Sequence, residues 1–303
     1  MHDLIPRVTS VEQYRAIYAD ARTWQPAMRA IAARHRLSGA PDRQMLGTHV
    51  VFAFGGRIVK LFCPLWLHDY DAEKVTLQHV RGLPTPEIVA EGMLDGWPYL
   101  VLSRVEGVPA VTVWPRLSPP ERARVVRQSG AFLRALHDHP LPEGLPADWD
   151  AFLQARLAQA DGHHDAPEPW RSWIRDQLAG FREPPLAPVL LNGDLTDDHV
   201  LLARRGDAWH LEGVIDFGDA RVGHPYYDLI APLACFAFGQ PALARALVEG
   251  YGMAPTPDVR DTLTRFCLLH EFGRLGDFLA RYPVSRPEAF AAALWGEPAS
   301  TAG

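Results

Sequence analysis

Two aspartates carry the clearest chemical signal in the chain. Asp194 closes the apolar run Val189-Leu190-Leu191-Asn192-Gly193, and Asp216 closes Glu212-Gly213-Val214-Ile215, 22 positions later. A hairpin through Val200-Leu201-Leu202 and Trp209-His210-Leu211 would return the second carboxylate to the cleft of the first. Phosphoryl transfer from a nucleotide uses such a pair: one carboxylate accepts the proton of the acceptor hydroxyl, the other holds magnesium across the phosphates. Asp194 suits the first task and Asp216 the second. Either aspartate alone reads more readily as a turn cap after a buried strand, so the argument rests on the pair. His199, five residues after Asp194, is placed to emerge from the same loop as a second magnesium ligand or a phosphate-facing donor. In that loop Asp197 reads as a solubilising residue, whereas Asp198 could line the acceptor's approach.

Lysine is scarce. Among 30 cationic residues only Lys60 and Lys74 are lysines, and a sequence that otherwise uses Arg keeps Lys where a compact ammonium is needed. Lys60 sits near the end of an apolar run, and Glu73 follows 13 positions later on an expected helix. An ammonium that reaches the phosphates and is held by a helix carboxylate is the companion device of kinase-type nucleotide sites. Lys74, next to Glu73, would face solvent. Neither GxGxxG nor GxxxxGK[ST] occurs, and the stretch expected to cover the phosphates, Leu46-Gly47-Thr48-His49-Val50, holds a single glycine. Rossmann and P-loop readings are therefore unsupported, as is an α/β-hydrolase, because GxSxG is missing.

These groups need two kinds of scaffold. His49 to Phe54 and Arg57 to Phe62 flank Gly55-Gly56 and predict a β-hairpin. A helix over Asp71–Val80 and strands at Glu87–Glu91 and Trp97–Ser103 complete a small sheet carrying one helix. Ahead of it, apolar spacing between Ser10 and Arg36 predicts a helical extension in which Pro26 starts a second helix. Beyond Gly107 amphipathic windows dominate, around 118–138, 150–160, 170–181, 241–251 and 259–281. The expected division is an N-lobe over 1–103, with its extension at about 10–40 and its sheet at about 41–103, and a mainly helical C-lobe over 104–303.

Composition bounds the rest. With 303 residues, 48% hydrophobic, the chain can bury a large core. A net charge of -6 gives no overall positive field for nucleic acid or anionic lipid. Cys63, Cys235 and Cys267 are too few and too widely spaced for a disulfide framework or a cysteine zinc site. No apolar run reaches membrane-span length and the first residues lack a secretory signal, so a cytoplasmic protein without membrane partners is expected.

The segments Asn192-Gly193-Asp194-Leu195-Thr196-Asp197-Asp198-His199, Val214-Ile215-Asp216-Phe217-Gly218-Asp219 and Gly223-His224-Pro225-Tyr226-Tyr227-Asp228-Leu229 resemble the signature of the aminoglycoside phosphotransferase family of small-molecule kinases. Further matches are Ile58-Val59-Lys60-Leu61-Phe62, Glu73, Leu83-Pro84-Thr85-Pro86 and Trp97 to Gly107. Trp24-Gln25-Pro26, Trp66, Leu268-Leu269-His270-Glu271-Phe272 and Ala293-Leu294-Trp295-Gly296 are most similar to the hygromycin B 7''-O-kinase branch.

The resemblance implies an α+β, bilobal, protein-kinase-like fold, with a small antiparallel-sheet N-lobe and a mainly helical C-lobe. It implies Asp194 as catalytic base, Asp216 and His199 as Mg2+ ligands, Lys60 as phosphate contact with Glu73 as its ion-pair partner, and the Ser103-Arg104-Val105 backbone as the nucleotide-base hinge. ATP or GTP would be the donor. The acceptor would be a small hydroxyl compound, a cationic aminoglycoside whose pocket should be lined with carboxylates, with Asp198, His270 and Glu271 as the residues expected to meet it. Asp228 is expected to brace the catalytic loop, and Asp277 is a further acidic candidate. Choline, homoserine, a sugar or a macrolide are alternative acceptors, and a nucleotide-binding pseudokinase-like module is an alternative of another class. Two residues depart from the family pattern: Asn192 replaces the usual His before Gly-Asp, and His199 stands where Asn is usual.

Overall fold

The computed structural model describes residues 3–45, 47–160, 167–270, 279 and 284–296. The chain divides into two compact units. The first comprises 1–106 together with 142–145 and 213–219; the second comprises 107–141, 146–212 and 220–303.

The first unit opens with helices α1 (Val11–Tyr18) and α2 (Ala21–His35). Ser10 caps α1 by accepting the Gln13 N–H, and Asp20 caps α2 by accepting the Arg22 N–H. Pro26 lies inside α2 rather than starting it. The Asp20 cap begins the helix ahead of the proline, and the fully buried Trp24 anchors that first turn.

Five strands follow in the sheet order β1-β2-β3-β5-β4: β1 (Asp42–Gln44), β2 (Val50–Phe54), β3 (Arg57–Leu61), β4 (Ile88–Leu94) and β5 (Trp97–Ser103). Every pairing is antiparallel. Gly55, at φ +54, makes the turn of the β2–β3 hairpin. Register places Lys60 between Val51 and Leu100 in the middle of the sheet. Trp24, Met28 and Ile31 of α2 share one buried cluster with Phe52, Val59, Leu61, Tyr99 and Val101, so the helical extension is part of this unit's core. Helix α3 (Leu67–His79) starts four residues earlier than its apolar pattern suggests, because a 3-10 turn at Pro64–Trp66 leads into it.

The second unit is mainly helical. After β6 (Val108–Pro109) come α4 (Ala110–Val113), α5 (Pro119–His137), α6 (Trp149–Ala160) and α7 (Trp170–Leu178). Short strands β7 (Val189–Leu191), β8 (Val200–Arg205), β9 (Ala208–Val214) and β10 (Arg221–Gly223) form two small sheets, β10-β7 and β6-β8-β9. A 3-10 turn at Pro225–Leu229 leads into α8 (Ile230–Pro232). Then come α9 (Pro241–Gly250), α10 (Pro257–Leu269) and α11 (Phe290–Trp295). Helix α5 starts with a capping box between Ser118 and Glu121 and lies so close to α9 that a Cβ at Gly130 would sit 2.3 Å from the Leu247 carbonyl oxygen. No helix among the described residues is long and apolar enough to cross a membrane.

Candidate active site

In the first unit the sheet and α3 bring three charged side chains together. Lys60 is buried on β3, 6% exposed, and Glu73 is buried on α3 at 1%. Lys60 Nζ lies 2.6 Å from a Glu73 oxygen and 3.0 Å from Asp216 Oδ1. Burial alone would lower the lysine pKa, but the charges of Asp216 and Glu73 outweigh it and the net shift is upward. The ammonium therefore stays charged in an apolar setting that includes the Phe62 ring, 5.2 Å away.

Asp216 reaches this position in a left-handed backbone conformation, φ +66, which L residues other than Asn and Asp rarely adopt. The Gly218 N–H donates back to Oδ1 at 3.2 Å and steadies the turn. Strain of this kind, about 1–3 kcal/mol, persists where the surroundings hold it, typically at functional sites.

His49 stands beside the trio. Its Nδ1 accepts the Cys63 N–H, so Nε2 carries the proton and donates to Asp69 at 2.8 Å. Burial lowers its pKa and keeps it neutral. Lys74 bonds Glu91 near the surface, apart from the trio.

The segment expected to form the nucleotide-base hinge begins at the last residue of β5, Ser103. Ser103 N–H donates to the Glu87 carbonyl and Arg104 N–H to the Gly56 carbonyl. These bonds fix the direction of the backbone through Val105.

In the second unit, the loop after β7 carries Asp194 and is built from backbone hydrogen bonds. Asp228 Oδ2 accepts the Asn192 N–H at 2.9 Å, and Oδ1 accepts the Gly193 N–H at 2.7 Å. Gly193 has φ +86, a conformation suited to glycine. Asn192 Oδ1 then accepts the Asp194 N–H at 3.1 Å, an Asx turn that sets the orientation of the aspartate. Asn192 is thus a structural cap inside the loop, buried completely.

Asp228 is itself held by His137 Nε2 at 3.0 Å, and His137 Nδ1 bonds the Tyr251 hydroxyl at 2.8 Å. His137 closes α5 and sits 91 residues from Asp228, so neither residue flags the other in the sequence.

His199 lies in the same loop. Its Nδ1 is 2.8 Å from the Asp194 carbonyl oxygen and 3.0 Å from Thr196 Oγ1. A carbonyl can only accept, so Nδ1 carries the proton and Nε2 keeps the lone pair. Asp198, 33% exposed in its side chain, accepts the Thr196 hydroxyl at 2.6 Å. Asp197, read as a solubiliser, is buried, and its carbonyl accepts the Val111 N–H. His270 follows α10 but is buried, stacked on Tyr227 at 4.7 Å between ring centroids and hydrogen bonded to the Gly193 backbone. Its pKa is pushed down to about 4, chiefly by burial. It supports the loop that carries Asp194 rather than lining an accessible wall. Glu271 and Asp277 lie outside the described residues.

The structure therefore groups Lys60, Glu73 and Asp216 in one unit, and Asp194, Asp198 and His199 in the other. No group of three or more His, Cys, Asp and Glu side chains among the described residues forms a ready metal cluster. The carboxylate of Asp216, partly exposed, is a donor type that fits magnesium, whereas an imidazole such as that of His199 is a less usual magnesium ligand.

This combination of an antiparallel-sheet unit holding a Lys-Glu pair and a helical unit holding an Asn-Gly-Asp loop is that of a protein-kinase-like fold. The family model described as "Phosphotransferase enzyme family" matches residues 49–263, and the chain belongs to that family. It is a small-molecule kinase. An aminoglycoside 3'-phosphotransferase of Streptomyces fradiae is 30% identical over 217 residues, 67% of this chain and 78% of the relative. A viomycin phosphotransferase of Streptomyces vinaceus is 30% identical over 186 residues, 56% of this chain and 61% of the relative. Among solved structures, the GDP complex of wild-type aminoglycoside 2'-phosphotransferase-IIIa aligns with a TM-score of 0.67 at 18% identity, covering 84% of this chain and 94% of that one.

Proposed function

We propose that this kinase transfers the γ-phosphoryl group of ATP or GTP to a hydroxyl of a cationic small molecule, an aminoglycoside, with hygromycin B the first acceptor to test. The observation that carries the reading is the buried ammonium of Lys60 held at 2.6 Å by Glu73 and at 3.0 Å by Asp216. That trio has little use as a stabilising device, since buried ion pairs seldom stabilise more than apolar packing would, and it suits the phosphates of a nucleotide.

In the reaction the acceptor oxygen forms a bond to the γ-phosphorus while the β,γ-bridging P–O bond breaks. The electron pair leaves with the nucleoside diphosphate, and the hydroxyl proton passes to the Asp194 carboxylate. Lys60 offsets charge on the phosphates, and the hinge over Ser103, Arg104 and Val105 orients the base. Asp216 and His199 would hold Mg2+, whose charge neutralises the phosphate oxygens when bound. Asp198 supplies a carboxylate to a cationic acceptor. The family names of the Streptomyces relatives support an antibiotic acceptor. The resemblance of the tryptophan-bearing segments near Trp24, Trp66 and Trp295 supports the hygromycin branch.

The test is direct. Incubation with Mg2+, ATP or GTP and a panel of hygromycin B, other aminoglycosides, viomycin, a macrolide, choline, homoserine and simple sugars should add roughly 80 Da, one phosphoryl group, to an aminoglycoside. Phosphorylation of a neutral acceptor alone would replace the aminoglycoside reading, and nucleotide binding without transfer to any acceptor would favour a pseudokinase.

A further inference from the structure

The loop expected to cover the nucleotide phosphates has one glycine where such loops usually rely on several, so something else must set its backbone. The described part of that loop is gripped from one side by α1. Tyr18 donates its hydroxyl to the Gly47 carbonyl at 2.6 Å, and Tyr14 donates to the Thr48 carbonyl at 2.7 Å. The two tyrosines are four residues apart and lie on one helix face, with ring centroids 5.5 Å apart.

Neither ring is loosely placed. Tyr14 is buried against Trp24, Trp66 and Trp97. Tyr18 is covered by the Arg43 guanidinium at 4.8 Å, and Arg43 also donates to the Tyr18 carbonyl and to the Val51 carbonyl. The grip is thus tied to β1 and β2, the strands on either side of the loop.

Peptide planarity turns this grip into a constraint on donors. In a trans peptide the carbonyl of one residue and the N–H of the next point in opposite directions. With the Gly47 and Thr48 carbonyls turned toward the tyrosines, the N–H groups of Thr48 and His49 are turned away from α1. The loop also passes close to the metal-binding carboxylate: a Cβ built on Gly47 would lie 3.8 Å from Asp216 Oδ2. Oriented backbone N–H groups beside a phosphate site are ready anion donors.

We propose that Tyr14 and Tyr18 are positioning residues for the nucleotide, fixing through their hydroxyls the backbone of Gly47-Thr48-His49 that receives the phosphates. This rests on the nucleotide-kinase reading above. The helical extension thereby has a function beyond its contribution to the core. Two side-chain hydrogen bonds restrain a backbone that a glycine-rich loop would leave mobile, and a restrained loop loses less freedom on binding.

The test compares Tyr14→Phe, Tyr18→Phe and the double variant with wild type, with Tyr70→Phe as control. Tyr70, in the first turn of α3, donates its hydroxyl to Glu91 of β4 at 3.1 Å, outside the loop. Phenylalanine keeps each ring and removes only the hydrogen bond. The readouts are Kd for Mg·ATP and Mg·GTP, KM for nucleotide and acceptor, kcat and melting temperature. We expect nucleotide Kd and KM to rise about threefold for each single variant and about tenfold for the double, with acceptor KM, kcat and melting temperature near wild type. Unchanged nucleotide Kd in the double variant overturns the proposal while leaving the kinase reading standing. A uniform loss of kcat and of both KM values with a lowered melting temperature also overturns it, because that pattern reports a structural role. Failure of the wild type to bind either nucleotide with Mg2+ overturns both readings.

Discussion

The carboxylate of Asp228 accepts the backbone N–H of Gly193 at 2.7 Å, with both groups buried, and so holds the residue that precedes Asp194, the proposed catalytic base. The same carboxylate binds the Asn192 N–H and His137. Asp228→Asn retains one acceptor oxygen and places an amide where a second N–H donor points. Hydrogen bonds to a charged group contribute about 1.5–3 kcal/mol each. The variant should lose about 2–4 kcal/mol in chemical denaturation, and its kcat should fall more than its nucleotide affinity.

Lys60→Met should weaken nucleotide binding and also destabilise the fold by about 3–5 kcal/mol, because it strands the buried Glu73 carboxylate. Replacing both partners removes the stranded charge. Lys60→Met with Glu73→Leu should therefore recover most of the lost stability in urea melts while remaining inactive. Lys60→Arg should not rescue activity, since a planar guanidinium does not fit the space of an ammonium between two carboxylates.

Acid stability should be governed in part by His224 and His270, each pushed down to about 4 by burial from an ordinary value of 6.5. His224 has no room for a second proton: its Nδ1 accepts the Tyr226 N–H while Nε2 donates to the Pro184 carbonyl. Between pH 4 and 6.5 the unfolded chain binds more protons than the folded one, so stability rises with pH in that window. Each contribution, about 3 kcal/mol, is complete above pH 6.5 and is lost as the pH falls toward 4. Melting temperatures from pH 7 down to pH 4 should decline, and His270→Gln should flatten the decline.

Asn192→Ala removes the oxygen that accepts the Asp194 N–H without touching a charged group. It should lower kcat about tenfold with little change in acceptor KM, since misplacement of a base costs rate more than binding. An Asn192→Ser variant, which can also accept from the N–H two residues on, should retain more activity than the alanine variant.

Much of this was legible in the residues. Two strand-like runs around Gly55-Gly56 show the hairpin, and the scarcity of lysine singles out Lys60. Local rules also see each carboxylate at the end of its apolar run. They do not see pairings set by tertiary packing: Tyr14 with Thr48 across 34 positions, Tyr18 with Gly47 across 29, or His137 with Asp228. The same limit explains His270 and Pro26. A histidine after an amphipathic helix looks available to a ligand until Tyr227 stacks on it, and a proline looks like a helix start until an upstream aspartate caps the helix first.

In the proposed reaction Asp194 takes the proton from the acceptor hydroxyl during phosphoryl transfer. Single-turnover rates and Mg·nucleotide Kd, measured on wild type and Asp194→Asn with the acceptor that gains mass, test it most directly. The transfer rate of the variant should be lower by about 10²- to 10⁴-fold, with nucleotide Kd within about threefold of wild type. A variant that transfers phosphate at the wild-type rate would contradict it.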